Sequence, residues 1–227
     1  MVIQSLPFDS ELFGYSVGKV NWEPDFDEKE FLEKAKTHQL VYVFSGKPIS
    51  FQSPKIQLAD QRLVFRKEIL EANAPEGILS IFDYLGKFSA PNLRKTLLDL
   101  ALASGEYSRF KMDERLKNGE FEKLYKLWLE KAWEQNQILF PKGLEGMVSF
   151  NLKDDAVQIG LLAVGEEHRG QAWGRKLIQA AEQLAFSKGK KYLIIPTQSR
   201  NQSAVQFYEK LGYQVVEETW IYHYWAD

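Results

Sequence analysis

Glycines and basic residues lie together in Arg169-Gly-Gln-Ala-Trp-Gly-Arg-Lys176, directly before an amphipathic segment. Glycine lets the backbone approach an anion closely, and the free amides and dipole of a first helical turn favour negative charge there. Arg169, Arg175 and Lys176 add positive charge beside the turn. The stretch therefore predicts a phosphate site. It lacks the spacing and the Lys-Ser/Thr pair of a nucleoside-triphosphate loop, and no dinucleotide fingerprint is present.

The elements around this turn are expected to place it at the edge of a sheet. An apolar run over 157–164 indicates a strand, the periodic segment 172–187 a helix, and 192–196 a further strand. This order predicts a parallel pair with a right-handed crossover, so the turn lies at the carboxyl edge of the sheet. A helix over 201–211 and strands at 214–217 and 220–225 are predicted to follow.

Two regions are expected along the chain. Residues 1–72 combine short aromatic strands with a charged helix at about 27–36 and are interpreted as a small α/β region. Residues 73–227 are interpreted as the main domain. In it, 78–84 is predicted to be a strand, followed by two helices with apolar stripes and by an antiparallel meander over 138–164.

Composition restricts the class of protein. The 227-residue chain carries 29 basic and 31 acidic residues, so no overall field attracts nucleic acid or an anionic membrane. It has no cysteine, which excludes disulfides and a cysteinyl acyl-enzyme, and its three histidines are scattered, so no metal site is expected. Neither a membrane-spanning run nor a signal-peptide pattern is found, so a cytoplasmic location is expected.

Two motifs resemble the hallmarks of the GCN5-related N-acetyltransferase (GNAT) superfamily. The first, Arg169-Gly-Gln-Ala-Trp-Gly174, is similar to the family's [Q/R]-x-x-G-x-[G/A] pyrophosphate loop, with Ala172 in place of a glycine. The second, from Asn201 to Tyr213, is similar to the block N-x-x-A-x-x-x-Y-x-x-x-G-[FY]. The resemblance covers roughly residues 78–225.

This resemblance implies an α/β fold with a mixed, mostly antiparallel sheet, a central parallel pair and flanking helices. It implies acetyl-CoA as co-substrate, with pantetheine added between the two central strands and a backbone amide near Leu162 or Val164 polarising the thioester carbonyl. Tyr208 matches the family tyrosine that is a candidate general acid for the departing thiolate. The implied cofactor-binding residues are Leu162, Ala163, Val164, Arg169, Gly170, Gln171, Ala172, Trp173, Gly174, Arg175, Asn201, Ala204 and Phe207.

Each of these residues also has a purely structural interpretation. Two glycines can merely shape a turn, a tyrosine on an apolar helix face is usually core, and Asn201 is a natural N-cap. The Cβ of Ala172 disfavours positive φ and narrows the approach of the backbone to an anion, whereas helical φ would make the methyl harmless.

Shorter motifs resemble nucleotide-sugar 4-amine acetyltransferases of the TDP-fucosamine acetyltransferase type. They are Phe13-Gly-Tyr15, Ser108-Arg-Phe110, Tyr125-Lys-Leu-Trp128, Ile159-Gly-Leu-Leu-Ala163 and Thr197-Gln-Ser-Arg-Asn201. The resemblance implies that Arg109 suits the diphosphate of a TDP-linked amino sugar, with Tyr125 and Gln198 as further substrate contacts. On residue type alone, Arg109 is more often a solvated charge and Tyr125 more often core.

The predicted activity is transfer of acetyl from acetyl-CoA to a primary amine by direct attack in a ternary complex. Absence of cysteine and of a triad-like histidine arrangement favours this mechanism. The expected partner is a small-molecule amine such as a TDP-amino sugar, with neither nucleic acid nor membrane, and a homodimer is left open. Alternatives are another acceptor, namely a protein N-terminus, a polyamine or an aminoglycoside, and an inactive CoA-binding module. The proton acceptor is hypothesised to be a water linked to an unidentified carboxylate.

Overall fold

The computed structural model describes residues 1–88 and 91–226. Ser89, Ala90 and Asp227, which the predicted main domain includes, lie outside the described residues. The strands are β1 (Gln4–Ser5), β2 (Val17–Asn21), β3 (Leu40–Ser45), β4 (Ile56–Glu68), β5 (Ile78–Ser80), β6 (Ile138–Pro141), β7 (Gly146–Leu152), β8 (Ala156–Val164), β9 (Tyr192–Gln198) and β10 (Gln214–Trp225). The helices are α1 (Pro7–Phe13), α2 (Glu28–Ala35), α3 (Ile81–Leu85), α4 (Leu93–Ser104), α5 (Arg109–Met112), α6 (Glu120–Glu134), α7 (Trp173–Ser187) and α8 (Gln202–Lys210).

The described strands form one sheet in the order β1-β2-β3-β10-β4-β9-β8-β7-β6-β5. Its neighbours are antiparallel except for β2–β3 and the central pair β8–β9. Helices cover both faces of this sheet. The expected fold class, a mixed and mostly antiparallel sheet with a central parallel pair and flanking helices, is therefore confirmed.

Strand β10 lies between β3 and β4 and pairs antiparallel with both. Strands from residues 1–72 and from residues 73–227 thus share one sheet, and backbone hydrogen bonds run across the predicted boundary without interruption. Aromatic residues dominate this junction because Tyr222 and Tyr224 of β10 pack with Phe31 of α2 on one face. On the opposite face, Trp225 packs against Tyr15.

Two apolar cores hold the helices onto the sheet. On the face covered by α7 and α8, Phe65, Leu177 and Tyr208 belong to one buried cluster. On the face covered by α4, α5 and α6, the buried cluster includes Leu97, Leu124 and many aromatic rings. These are called the α7/α8 face and the α4/α6 face below.

The predicted strand over 78–84 is wrong beyond residue 80. Strand β5 ends at Ser80, whose hydroxyl accepts a hydrogen bond of 3.3 Å from the Asp83 amide and so caps α3. The two strands predicted at 214–217 and 220–225 are one strand, β10, with an irregularity between Val215 and Glu217. An extra residue in a strand changes its twist without ending it.

The described residues include no helix that is both long and apolar enough to cross a membrane. Within the same part of the chain, no three His, Asp or Glu side chains converge as metal ligands would.

Candidate functional site

The site lies where the two central strands separate. Strands β8 and β9 pair in parallel only where Ala156–Gln158 of β8 lie beside Tyr192–Ile194 of β9. Beyond these residues the strands separate, although β8 continues to Val164 and β9 to Gln198. A cavity of about 620 Å³ occupies the gap. Tyr208 lines it from the α7/α8 face and Tyr125 from the α4/α6 face, so the cavity passes through the sheet.

A bulge in β8 turns free amides into this gap. Phe150 pairs with Ile159 and Val148 pairs with Leu162, so two residues of β8 stand opposite Ser149 alone. The Ser149 hydroxyl accepts the Leu161 amide at 2.9 Å, and Gly165 donates to the Glu145 carbonyl at 2.8 Å. These two donors point towards β7. Because successive strand amides point to opposite edges, the amides of Leu162 and Val164 point into the gap.

The first turn of α7 borders the other end of the cavity. Trp173, Gly174 and Arg175 line it, together with Arg169 and Gly170 of the preceding turn. No side chain caps this helix, so its first amides stay available to an anion. Arg169 and Arg175 are exposed, and neither pairs with a carboxylate in the described part of the chain. The turn has the free donors and the positive charge that a phosphate group requires.

Two residues of the predicted loop behave differently from its glycines. The Gln171 side chain turns away from the cavity and donates to the Glu167 carbonyl at 3.1 Å. Ala172 lines the cavity as the N-cap of α7 with φ 65° and ψ 8°, a left-handed conformation. Ala172 therefore has positive φ, which its Cβ disfavours, and not the helical φ that would make its methyl group harmless.

Helix α8 carries the residues of the second motif. The Asn201 Oδ1 accepts the Ala204 amide at 3.1 Å, so the N-cap interpretation holds, and Asn201, Ala204 and Phe207 also line the cavity. Tyr208 is 5% exposed, and its ring stands 5.5 Å from that of Phe65. Burial raises the pKa of Tyr208, which keeps the phenol protonated at neutral pH. Its hydroxyl has no hydrogen-bond partner among the described residues.

Tyr125 and Gln198 form the opposite end of the cavity. Tyr125 is buried in the apolar core of the α4/α6 face, as its structural interpretation predicts, and it also lines the cavity. Its ring lies against the backbone of Gly105, and burial raises the pKa of its hydroxyl. Gln198 ends β9 at the cavity wall. Among the described lining residues, Glu106 is the one with a carboxylate.

Arg109 does not line this cavity. Ser108 caps α5, and the Arg109 guanidinium stacks 4.2 Å from the Phe110 ring and 4.8 Å from the Tyr42 ring. Its Nε is buried without a hydrogen-bond partner in the described part of the chain. Burial lowers the pKa of the guanidinium, while Tyr42, Asp60 and Asp9 favour its charged form.

A second depression lies beside the first on the sheet. A groove of about 450 Å³ is lined by Lys19, Asn21, Trp22, Phe44, Ser45, Gly46, Arg62, Glu217 and Thr219. Arg62 is the cross-strand partner of Gln198, so the groove begins one strand away from the cavity. Arg62 forms an ion pair with Glu217, whereas no described carboxylate pairs with Lys19.

His223 forms a close pair with an aspartate that the sequence analysis did not single out. Its Nδ1 lies 2.7 Å from Asp113 Oδ2, and both side chains are buried in the α4/α6 face. The two residues are 110 positions apart in the chain, which is why the sequence did not indicate the pair. The alternation Ile221, His223, Trp225 was a usable signal because every second residue of a strand faces the same side. No comparable sequence pattern pointed to Asp60 or to Ser149 as residues near the site.

Comparison with known proteins gives the family. Residues 97–213 match the family model described as "Acetyltransferase (GNAT) family". A segment of 55 residues is 36% identical to N-alpha-acetyltransferase 30 of Schizosaccharomyces pombe (strain 972 / ATCC 24843). That segment covers 24% of this chain and 37% of the yeast protein, so the match spans little more than a third of the relative's length.

Solved structures share the fold at low sequence identity. A functionally unknown conserved protein from Staphylococcus epidermidis ATCC 12228 superposes with a TM-score of 0.60 and 13% identity, over 92% of this chain and 83% of its own. A GCN5-related N-acetyltransferase from Sphaerobacter thermophilus gives 0.55 and 13%, over 92% and 73%. The separated central strands, the uncapped start of α7 and a family model that covers more than half of the sequence lead to one conclusion: the chain belongs to the acetyltransferase (GNAT) family.

Proposed function

We propose that this protein transfers an acetyl group from acetyl-CoA to a primary amine by direct attack. The observation that carries the proposal is the cavity through the sheet, because its lining runs from a turn suited to phosphate on the α7/α8 face to Tyr125 on the α4/α6 face. Two substrates that enter from opposite faces can meet between β8 and β9 without a covalent enzyme intermediate. The chain contains no cysteine to form such an intermediate by thiol chemistry.

The described residues fit the pyrophosphate and the pantetheine arm of the coenzyme. The amides at the start of α7, with Arg169 and Arg175, suit the pyrophosphate. The free amides of Leu162 and Val164 suit pantetheine, which adds to β8 as a further strand would. Bound there, acetyl-CoA supplies the electrophilic thioester carbonyl.

The chain's own groups then stabilise charge and move protons. A β8 amide in the gap donates to the thioester oxygen as negative charge develops on it. The amine nitrogen forms its bond to the carbonyl carbon while the carbon–sulfur bond breaks, and the Tyr208 hydroxyl donates its proton to the departing sulfur. The raised pKa of Tyr208 keeps the phenol protonated, so a proton is available beside the sulfur as the carbon–sulfur bond breaks. It also makes the phenol a weaker acid, so we expect this transfer to need the negative charge that develops on the departing sulfur.

The acceptor that we propose is a TDP-linked amino sugar. The groove beside Gln198 supports an anionic acceptor because it presents Lys19, with which no described carboxylate pairs, beside the Arg62–Glu217 ion pair and the rings of Trp22 and Phe44. Strands lie about 4.8 Å apart, so Arg62 is one strand spacing, about 5 Å, from Gln198. Lys19 lies four strands away and, through its alignment with Gln57, about five residues farther along the strands, so it is at the far end of the groove. A cationic acceptor such as a polyamine would favour a carboxylate-rich wall, and the described cavity wall has Glu106 alone. Residues 1–72 supply most of this groove, so we propose that they shape the acceptor site.

Release of the CoA thiol tests this function directly. Acetyl-CoA is incubated with the protein and a panel of amines: TDP-amino sugars, a polyamine, an aminoglycoside and a peptide with a free N-terminus. Thiol release with a TDP-amino sugar and none with the other amines is the expected result. Selective release with the peptide would replace the proposed acceptor, and equal thermal stabilisation by CoA and acetyl-CoA without any release would indicate a binding module.

Tyr208→Phe tests the chemistry on the same assay. General acid catalysis contributes about 10²–10⁴ in rate, so kcat is expected to fall by about a hundredfold or more while the Kd for acetyl-CoA changes little. Tyr213→Phe is the matched control because the Tyr213 hydroxyl bonds to Glu182 at 2.8 Å, outside the cavity lining. An unchanged kcat in Tyr208→Phe would remove this tyrosine from the mechanism.

A further inference from the structure

Five buried polar atoms on the α4/α6 face lack a hydrogen-bond partner among the described residues. Four of them, called the orphan cluster, are Tyr42 Oη, Asp60 Oδ1, Arg109 Nε and His223 Nε2, and the fifth is Arg62 Nε. The Tyr42 ring centroid lies 5.1 Å from that of His223, and the Arg109 guanidinium lies 4.8 Å from the Tyr42 ring. More than nine in ten buried polar groups in proteins are hydrogen-bonded. The orphan cluster therefore has the composition of a site that holds water or a polar substrate group.

The orphan cluster lies behind the wall of the cavity. Asp60 pairs across the sheet with Ile221, two residues before His223, and so shares its face. Both Asp60 and Arg109 influence the ionisation of Tyr125, which places their charges close to this residue of the cavity wall. Two residues farther along β4, Arg62 pairs with Gln198 at the same wall. The cluster is thus next to the end of the cavity where the acceptor enters.

The pKa values of Asp60 and Asp113 are shifted in opposite directions, although both residues lie in this region. Asp113 accepts hydrogen bonds from His223, from Trp225 at 2.9 Å and from Arg115 at 3.0 Å, and these bonds outweigh burial and hold its pKa below the ordinary value. Asp60 is 3% exposed with one oxygen unpartnered. Burial raises the pKa of Asp60 to about 6, although Arg109, Arg200 and Arg62 oppose the rise. Near neutral pH, Asp60 is therefore mostly ionised, but it binds a proton more readily than an ordinary aspartate does.

His223 and Arg109 complete the surroundings of this carboxylate. Because the ionised Asp113 accepts from His223 Nδ1, the Nε2 of His223 has a free lone pair. Burial lowers the pKa of His223 to about 4, so it is neutral and accepts a hydrogen bond without taking a proton. The Arg109 Nε–H is a free donor. Asp9 of α1 lies close to Arg109 and within reach of the Tyr42 hydroxyl proton, so the Tyr42 oxygen is available to water as an acceptor.

We propose that Asp60 accepts the proton that the acceptor amine loses, through water held by Tyr42, Arg109 and His223. This inference rests on the proposed acetyl transfer. The attacking amine forms its N–C bond and becomes acidic, and its proton passes along the water to one oxygen of Asp60. The carboxylate becomes a neutral carboxylic acid, and Tyr208 has meanwhile protonated the leaving sulfur. After the product leaves, Asp60 returns its proton to solvent and Tyr208 regains one, so the net products are the amide and CoA thiol.

The pH dependence of kcat tests this role. In the native protein, kcat with the accepted amine is expected to rise with an apparent midpoint near pH 6 as Asp60 ionises. Asp60→Asn is expected to lose that rise and to reduce kcat at pH 7.5 at least tenfold, with an unchanged Kd for acetyl-CoA. Asp60→Glu is expected to restore part of the rate and the rise of kcat near pH 6, which is called the acidic limb. An Asp60→Asn enzyme that keeps the limb and the rate overturns the inference.

Glu120→Gln is the matched control for a structural effect. Glu120 is fully buried on the same face, and its carboxylate accepts from the Tyr15 hydroxyl at 3.2 Å and from the Asn118 amide at 2.7 Å. Because it lies outside the orphan cluster, Glu120→Gln is expected to lower Tm and to keep the rise of kcat near pH 6. Asp60→Asn is expected to show the reverse, with an equal or higher Tm at pH 7.5 and no such rise. If Asp60→Asn lowers Tm as Glu120→Gln does and the rise persists, Asp60 is structural. If native protein releases no thiol with any amine, the proposed function fails and this inference fails with it, whereas turnover that survives in Asp60→Asn overturns the inference alone.

Discussion

Ala172 shows how a single residue departs from the loop that surrounds it. It adopts φ 65°, a conformation that costs an L-amino acid about 1–2 kcal/mol relative to the right-handed region. The sequence indicated this conflict because a methyl stands where the family loop has glycine. What the sequence did not decide was whether the backbone would change to suit alanine. The structure keeps the backbone of the loop and places the strain on the residue.

Ala172→Gly is therefore expected to stabilise the protein. Removing the Cβ relieves the left-handed strain, offset in part by the greater freedom of glycine in the unfolded chain, for a net gain of about 1 kcal/mol in the free energy of unfolding. The Kd for CoA is expected to stay equal or to fall because the backbone opens to the pyrophosphate. Urea unfolding and isothermal calorimetry measure both quantities.

Gly170→Ala provides the opposite control in the same turn. Gly170 has φ 77°, and an added Cβ meets no atom within 4 Å, so backbone strain is the effect that remains. This variant is expected to lose about 1 kcal/mol. Stability changes of the same sign in both variants would contradict the strain at Ala172.

At the scale of elements, α4 and α6 make a close contact at the Tyr125 end of the cavity. Gly105 follows α4, and a Cβ on it would lie 2.3 Å from Tyr125 Cζ and 2.6 Å from the Tyr125 hydroxyl. The tyrosine ring is itself packed 4.5 Å from the Phe121 ring and 4.9 Å from the Trp128 ring, so it has little room to move. The end of one helix thus fixes the position of a wall residue on another.

Gly105→Ala is expected to push Tyr125 towards the cavity. Overpacking of this kind costs about 1–3 kcal/mol, and the KM for the acceptor is expected to rise while the Kd for acetyl-CoA changes little. Thermal unfolding and initial-rate kinetics measure these effects. Gly46→Ala, where an added Cβ meets nothing within 4 Å, is the control for stability. A normal acceptor KM in Gly105→Ala would show that the Tyr125 position does not matter for the acceptor.

Elements with a local signal were predictable and elements defined by distant contacts were not. The α7 and α8 motifs, including Asn201 as a cap and Tyr208 on the inner face, follow from spacing within a few turns of helix. The start of α3 at Ile81 also had a local signal, since Ser80 precedes Asp83 by three residues. In contrast, the bulge opposite Ser149 and the orphan cluster depend on strands that are distant in sequence. Alternation alone does not give the order of strands.

Across the whole molecule, two buried groups are expected to oppose each other in the pH dependence of stability. The pKa of Asp60 is raised to about 6, so its contribution to stability is full below about pH 4 and is lost as pH rises through 6. The pKa of His223 is lowered to about 4, so its contribution is full above about pH 6.5 and is lost as pH falls towards 4. Each shift corresponds to a change on the order of 3 kcal/mol, and the two nearly cancel between pH 4 and 6.

Replacing either Asp60 or His223 is expected to reveal the pH dependence of stability that the other residue contributes. Relative to the native protein, Asp60→Asn loses stability as pH falls from 6.5 to 4.5, and His223→Gln gains stability over the same range. Urea unfolding at pH 4.5, 5.5 and 7 measures the two slopes. Asp154→Asn in the exposed β7–β8 turn is the control and keeps the native slope. Parallel slopes in Asp60→Asn and His223→Gln would contradict the assignment of opposite shifts.

The place of β10 between β3 and β4 has a consequence for synthesis on the ribosome. Translation proceeds at roughly 5–20 residues per second, so β3 and β4 leave the exit tunnel several seconds before Gln214–Trp225 is made. During that interval both nascent strands expose an unpaired edge, which is a ready template for chaperones or for another growing chain. The half of the sheet that carries the groove therefore forms last, when β10 pairs with β3 on one side and β4 on the other.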